Sequence, residues 1–133
     1  MSRVIVIILP VADLAASTRF YEALGCSKDE TFSDDATASM DWSDLIAIRL
    51  MTRDSFASFS SRPLNDPHTS TQMQIALPLD SREAVDSVVE TAARAGGKAD
   101  VSESQELDYM YGRSFEDPDG HVFWAVWMKS EGI

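Results

Sequence analysis

The sequence has few of the side chains that build most transition-metal sites. Cys26 is the only cysteine among the 133 residues, and His68 and His121 are the only histidines. A single cysteine excludes an intramolecular disulfide and any cage of several thiolates around zinc or an iron–sulfur cluster. Because nothing in this composition requires an oxidising environment, the predicted location is cytoplasmic.

Long hydrophobic runs and an excess of positive charge are also missing. The apolar run at residues 4–9 is far shorter than the roughly 20 residues that a membrane-spanning helix needs, and it has no charged leader or cleavage site. The chain carries 22 acidic and 11 basic side chains, for a formal net charge of −11. This charge repels nucleic-acid phosphates and anionic lipid, so we expect neither nucleic acid nor a membrane as a partner.

The sequence does contain an order of predicted strands and helix that occurs twice. In the first copy, the apolar run at residues 4–9 is typical of a buried strand, and Pro10 follows it. Asp13 suits a helix N-cap and Gly25 a helix end with positive φ. The residues at helical spacing between them are Ala16, Phe20, Ala23 and Leu24. Three short strands are expected after this helix, at residues 30–33, 36–42 and 45–51.

The second copy repeats this order. A strand is expected at residues 71–77, followed by a helix that Asp80 and Glu83 begin in the manner of a capping box. The apolar face of that helix consists of Val85, Val88, Val89 and Ala92. Further strands are expected near residues 98–101, 109–115 and 121–128, and the tetrapeptide at 117–120 predicts a tight hairpin between the last two.

The repeat predicts an α+β domain made of two β-α-β-β-β modules. We assign residues 1–59 to the first module, 60–69 to a linker and 70–133 to the second, within a single domain of residues 1–133. Each module has one helix, which covers one face of its sheet. The strands are apolar on both sides, so the uncovered faces are expected to meet or to line a pocket.

The motifs in this order resemble the vicinal oxygen chelate superfamily, which includes glyoxalase I, bleomycin and fosfomycin resistance proteins and extradiol dioxygenases. The motifs that carry the resemblance are residues 9–14 (LPVADL), 20–21 (FY), 24–25 (LG), 95–97 (AGG) and 115–121 (FEDPDGH). Residues 110–115 and 127–128 further resemble a branch described as predicted lactoylglutathione lyases. The resemblance implies a glyoxalase-like fold, with curled mixed sheets around a cavity.

Catalytic members of that superfamily place a metal ligand, usually His or Glu, on the first and the last strand of each module. The matching positions in this sequence are Val6, Arg49, Gln74 and Trp124. Only Gln74 can coordinate a metal, and the charge of Arg49 would repel a cation. No metal ligands and no cofactor are therefore predicted, with a divalent metal as the alternative.

Strand periodicity adds to the candidate pocket. Arg49 alternates with Ile48 and Leu50, which suit packing under a helix, so Arg49 is expected on the uncovered face. The predicted ligand-binding residues are Val6, Arg49, Gln74, Tyr109, Tyr111, Arg113 and Trp124. Apolar walls, amide or hydroxyl groups and guanidinium groups suit a small aromatic or carboxylate-bearing ligand.

Each of these residues also has a purely structural interpretation. Arg49 could form a salt bridge with one of the many acids, and Gln74 could be a satisfied polar group of a sheet. Trp124 could be a core or interface aromatic, while Tyr111 and Arg113 could make a subunit contact. The histidines fall in the expected linker and hairpin, and the acids of residues 116–119 are explained by the turn.

The first functional hypothesis is a homodimeric protein that binds a small molecule without the usual metal, in the manner of bleomycin resistance proteins. The alternative is a metal-dependent lactoylglutathione lyase-like lyase or isomerase with a displaced metal site, built from Gln74, His121 and a nearby carboxylate. A structural dimer module is the third interpretation. Whether the protein is an enzyme is left open at this stage.

Overall fold

The chain divides into two compact units, Met1–Asn65 and Asp66–Ile133. The computed structural model describes residues 2–129. The elements of unit 1 are β1 (Ile5–Val11), α1 (Leu14–Ala23), β2 (Ser27–Asp29), a short 3-10 helix (Glu30–Phe32), β3 (Thr37–Asp41), β4 (Ile46–Thr52) and α2 (Arg53–Ser58). The elements of unit 2 are β5 (Gln74–Pro78), α3 (Arg82–Arg94), β6 (Lys98–Ala99), β7 (Gln105–Leu107), β8 (Met110–Glu116) and β9 (Val122–Met128).

The sheet of unit 1 has the strand order β1-β4-β3-β2, in which β1 and β4 run parallel and the other neighbours are antiparallel. Helix α1 packs on β3 and β4. Its Phe20 and Tyr21 are fully buried, as are Met40 and Leu50 of the sheet. The apolar spacing of the sequence thus produces a small core on one face of this sheet.

Unit 2 repeats the arrangement with the order β5-β9-β8-β6, and β7 adds a further pairing to β8. Helix α3 packs on β8 and β9. Its buried residues are Val85, Val89 and Ala92. Beneath the helix the rings of Phe115 and Phe123 stack with centroids 5.1 Å apart. The predicted α+β class with two mixed sheets and one long helix per module is confirmed.

Local capping chemistry explains where the sequence prediction was right and where it was wrong. Asp13 caps α1 as expected, accepting a hydrogen bond from the Ala16 N–H at 3.0 Å. The cap of α3 is Ser81 rather than Asp80, because the Ser81 hydroxyl accepts from the Ala84 N–H at 3.0 Å. Helix α2 and strand β7 were not predicted.

The expected strand at residues 30–33 is another correction. Residues Glu30–Phe32 form a 3-10 helix, which Asp29 caps by accepting a hydrogen bond from the Thr31 N–H at 3.0 Å. This local side-chain bond competes with strand pairing. As a result, the Phe32 side chain projects from a turn and remains 59% exposed.

The predicted hairpin at residues 117–120 is present and is tightly held. The Asp117 carboxylate, which is buried, accepts hydrogen bonds from the Asp119 and His121 N–H groups at 2.9 Å each. Gly120 has a φ of 95°, and a Cβ there would lie 2.8 Å from the backbone nitrogen of His68. Only glycine therefore allows the chain near residue 68 to pack on this turn.

Burial limits the reactivity of the cysteine. Cys26 is buried, and burial, with the nearby Asp41 charge, raises the pKa of its thiol to about 11. Its thiol is therefore protonated at neutral pH and unsuited to nucleophilic chemistry.

In the part of the chain that the structure describes, no helix is long and apolar enough to cross a membrane.

Candidate functional site

In each unit, one sheet face packs against the long helix and the other does not, and we call the second the open face. In unit 1, Ile48 and Leu50 are buried on the helix side. Arg49 alternates with them and therefore lies on the open face, as the sequence predicted. Its cross-strand partners on that face are Ile8 of β1 and Ser39 of β3.

The Arg49 side chain is unusual because its charge has no acidic partner in the described part of the chain. Its Nε atom is buried and makes no hydrogen bond, and among residues 2–129 no carboxylate forms an ion pair with its guanidinium. The interaction it does make is with Phe32, whose ring centroid lies 5.7 Å from the guanidinium carbon. A cation–π contact of this kind offsets only part of the cost of burying a charge. The salt bridge considered as the structural interpretation of Arg49 is therefore not found in the described part of the chain.

The surroundings of this cation are mostly apolar. Val6 and Ile8 of β1 share the open face and are 41% and 43% exposed. Ser39 is buried beside Arg49, and its backbone N–H donates to the Ser33 hydroxyl at 3.1 Å. We call Val6, Ile8, Phe32, Ser39 and Arg49 together the Arg49 surface. It presents one positive charge among accessible apolar side chains.

The open face of unit 2 contains two other predicted residues. Trp124 pairs with Ala76 and with Ser114, while Gln74 pairs with Val122 at the start of β5. Since Val122 and Trp124 are two residues apart on one strand, Gln74 and Trp124 lie on the same face. This agrees with the expected facing of both residues, and it places an exposed amide near a partly exposed indole.

Tyr111 and Arg113 lie on the opposite face of that sheet, so the expectation that they share a cavity wall with Gln74 and Trp124 is wrong. Arg113 pairs with Ala125, one residue away from Trp124, and one residue along a strand reverses the face. Both side chains meet acids of helix α3 instead. Tyr109 precedes β8 and is 56% exposed.

The contacts on that helix side form an ion-pair network, which we call the Arg113 cluster. Arg113 donates to Asp86 at 2.8 Å and to Asp100 at 2.7 and 3.0 Å, and Glu90 lies 3.9 Å away. The Tyr111 hydroxyl donates to Asp86 at 2.6 Å. These bonds join α3 and the segment before β7 to β8. Unlike Arg49, the Arg113 guanidinium has several carboxylate partners.

The electrostatics of the Arg113 cluster follow from these hydrogen bonds. The bonds from Tyr111 and Arg113 lower the pKa of Asp86, and those from Arg113 lower the pKa of Asp100. The bond to Asp86 raises the pKa of the Tyr111 hydroxyl. Each group is thereby held in its ordinary charge state at neutral pH. This arrangement stabilises unit 2 and leaves little hydrogen-bonding capacity for a ligand.

A second arginine, Arg82, makes further contacts next to the Arg113 cluster. The Arg82 guanidinium lies over the rings of Tyr111 and Trp127, with its carbon 5.4 and 4.9 Å from their centroids. It also donates to the Leu107 carbonyl at 2.7 Å. These contacts tie the start of α3 to the β7–β8 turn, and they account for Trp127 as a packing residue.

The donor set does not fit the metal site that the family resemblance implies. Of the four matching positions, only Gln74 carries a metal-coordinating atom, whereas catalytic metals usually have about three protein ligands. Within residues 2–129, no group of three or more His, Cys, Asp and Glu side chains is placed to hold a metal ion. A displaced site around Gln74 would therefore have at most two such side chains from the described part of the chain.

Sequence reasoning missed the partners of both arginines. Ser39 could have been found from the pairing of β3 with β4, but Phe32 was hidden by the incorrect strand at residues 30–33. Asp86 and Glu90 are four residues apart on α3, next to the predicted apolar face. That spacing signals two acids on one side of a helix, but it does not identify the strand they meet.

The fold agrees with comparisons to known structures. A hypothetical protein from S. aureus is 28% identical with a TM-score of 0.80, over 96% of this chain and 95% of that one. A glyoxylase/bleomycin resistance protein/dioxygenase domain from Frankia sp. is 26% identical with a TM-score of 0.69, over 100% and 96%. A glyoxalase-related enzyme from Fulvimarina pelagi is similar in fold, at 20% identity and a TM-score of 0.77, over 96% and 88%.

Sequence comparison points the same way. A search of curated proteins finds no match. A family model, however, matches residues 3–125, and its description is Glyoxalase/Bleomycin resistance protein/Dioxygenase superfamily. The match includes parts of both units and the motifs that carry the superfamily resemblance, whereas residues 127–128 lie beyond it. This chain therefore belongs to the glyoxalase/bleomycin resistance protein/dioxygenase superfamily.

Proposed function

We propose that this protein binds a small organic molecule and does so without the metal used by catalytic members of its superfamily. The observation that carries the proposal is Arg49, a cation that forms no ion pair within residues 2–129 and stands at a position where the family resemblance implies a metal ligand. A guanidinium at that position disfavours a divalent cation and favours an anionic group. Val6, at another of these positions and on the same open face of unit 1, supplies apolar surface.

We also propose that the protein acts as a homodimer. Unit 1 exposes apolar side chains at the first residues of β1 and β4 and at the residues just before them. These side chains are Val4, Ile5, Leu45 and Ile46, which are between 36% and 62% exposed. Exposed apolar surface at the edge of a sheet supports association with a second copy. Light scattering after size-exclusion chromatography, which gives the molar mass in solution, tests this part of the proposal.

Two measurements test the metal-free binding function. Elemental analysis of protein purified without a metal-affinity tag should find less than one equivalent of transition metal per chain. Calorimetric titration with a panel of neutral and anionic metabolites and drugs should identify at least one ligand, and its affinity should not change when a chelator is added. Stoichiometric metal together with no binding to the panel would contradict the proposal.

The lyase alternative gives a different result in a direct assay. A metal-dependent lyase would convert a glutathione hemithioacetal, lose that activity with a chelator and regain it with nickel or zinc. The donor set around Gln74 offers little support for such a centre, so we expect no chelator-sensitive turnover.

A further inference from the structure

We propose that the Arg49 surface is a subsite for a carboxylate carried on an apolar body. This inference rests on the proposed binding function and names its ligand class. The subsite would place the carboxylate against the guanidinium of Arg49. The apolar part of the ligand would lie over Ile8, Val6 and Phe32.

The charge of Arg49 requires an anion. Its guanidinium is partly buried, its Nε atom has no hydrogen bond, and no acid among residues 2–129 neutralises it. A partly buried charge without a counter-charge is costly, and an anion bound at the Nη atoms would offset that cost. A carboxylate matches the planar guanidinium and would bind to the Nη atoms, because Nε is buried from solvent.

The neighbouring side chains favour a single negative charge over a phosphate dianion. Arg49 lies in a row across the sheet with Ile8, Ser39 and Asp29. That row contains one cation and ends in an acid, Asp29, whose carboxylate already caps the 3-10 helix. A dianion would meet repulsion from Asp29 without a second positive charge to offset it.

The apolar body is required by what surrounds the cation. Val6 and Ile8 of the edge strand β1 are exposed by 41% and 43%, and Phe32 of the 3-10 helix by 59%, so the apolar surface next to Arg49 is open to solvent. A ligand with an aromatic or alkyl part would remove this surface from water while its carboxylate meets Arg49. Phe32 contacts the guanidinium already, so the two parts of such a ligand would be bound side by side.

The experiment uses four probes with the full-length protein: benzoate, hexanoate, benzamide and inorganic phosphate. Binding is followed by NMR, through the Arg49 Nε–H signal and the backbone amides of β1 and β4. We expect benzoate and hexanoate to bind in the millimolar range and to shift these signals. Benzamide has the shape of benzoate without its charge, and it should bind at least about tenfold more weakly, as should phosphate.

Two variants and a control separate the charge from the apolar contacts. Arg49→Met should weaken benzoate at least about tenfold and leave benzamide unchanged, since it removes the cation and keeps an apolar side chain. Phe32→Leu should weaken benzoate more than hexanoate, because only the aromatic probe loses a ring contact. Arg62→Met is the matched control, because Arg62 is an exposed arginine elsewhere in unit 1, and it should bind all probes as the wild type does.

The outcomes are separable from those of the proposed function. Benzoate binding that is equal in the wild type and in folded Arg49→Met would overturn the subsite, as would no shift of the Arg49 signal at saturating benzoate. Phosphate binding as tightly as benzoate would also overturn it. If the calorimetric panel yields a ligand that Arg49→Met still binds normally, the binding function stands and the subsite fails.

Discussion

The two units share a fold but use an arginine in opposite ways. In both, the first strand of the sheet pairs in parallel with the last, and one long helix packs on one face of the sheet. In unit 2, Arg113 lies on the helix side and is bonded to carboxylates from two segments. In unit 1, Arg49 lies on the open face and has an aromatic ring as its main neighbour.

This difference separates a structural arginine in unit 2 from a candidate ligand-binding arginine in unit 1. A cation on the helix side can be neutralised by acids of that helix, which fixes the helix on the sheet. On the open face of unit 1, the contact that Arg49 makes within residues 2–129 is with the Phe32 ring and not with a carboxylate. The face of the sheet therefore decides whether an arginine is a structural group or a candidate ligand-binding group.

The largest loss of stability is expected at Gly120, where backbone atoms leave no room for a side chain. Gly120→Ala would place a Cβ 2.8 Å from a backbone atom of residue 68 in unit 2, at a positive φ. We expect a loss of about 3 kcal/mol or more in the free energy of unfolding, from strain and overlap together. The measurement is urea denaturation of the variant and the wild type.

Gly25→Ala in unit 1 is the control for this prediction. Gly25 also has a positive φ, but a Cβ there meets nothing within 4 Å. Its substitution should cost only about 1 kcal/mol, from the backbone conformation alone. If both variants lost the same free energy of unfolding, the close approach of residue 68 would not contribute to the cost at Gly120.

Breaking the Arg113 cluster should have the next largest effect. Arg113→Met leaves Asp86 and Asp100 without their cation, but both carboxylates are partly exposed and can be rehydrated. We therefore expect a loss of about 2 kcal/mol in the free energy of unfolding, with a smaller loss for Arg113→Lys. Chemical denaturation checks both values, and an unchanged Arg113→Met would contradict the structural role given to this residue.

The pH dependence of stability sharpens the same contrast. The pKa of Asp86 is lowered from its ordinary 3.8 by Tyr111 and Arg113, so the unfolded state binds a proton more readily than the folded state. The stabilising contribution is complete above the ordinary pKa and is lost as the pH falls through the lowered one. The stability difference between wild type and Asp86→Asn should therefore be largest near neutral pH and shrink in acid. If the stability difference between wild type and Asp86→Asn grew as the pH fell, it would contradict the lowered pKa of Asp86.

The smallest effect is expected at Arg49. Its substitution should slightly increase the free energy of unfolding, whereas the variants above decrease it. Arg49→Met removes a partly buried charge that has no acidic partner among residues 2–129, and it keeps a long apolar side chain on the sheet. The free energy of unfolding should stay within about 1 kcal/mol of the wild type, on the stabilising side. Thermal denaturation without ligand provides the measurement, and a loss as large as that of Arg113→Met would remove the contrast between the units.

The fold could be predicted because its signals are local. Apolar alternation, the Asp13 cap, the helix-ending glycines and the hairpin at residues 117–120 each act within a few residues. The same alternation correctly placed Arg49 on the open face of its sheet, whereas the shared face of Gln74 and Trp124 was expected from the family resemblance. These predictions needed no knowledge of which strands pair.

The site was predicted less well because it depends on pairing and on distant partners. The facing of Tyr111 and Arg113 relative to Trp124 is set by the register between β8 and β9, which the sequence does not state. Phe32 was missed because Asp29 caps a 3-10 turn where a strand was expected. The roles of Arg49, Gln74 and Trp124 in ligand binding remain predictions for the experiments above.

The buried thiol of Cys26 has a practical consequence for such experiments. Because its pKa is raised to about 11 and its side chain is covered, an alkylating reagent can react with it only after unit 1 opens locally. The chain has no other cysteine, so the rate of labelling reports the opening of this one unit. Slower labelling in the presence of benzoate would then serve as a simple optical or mass-spectrometric reporter of ligand protection.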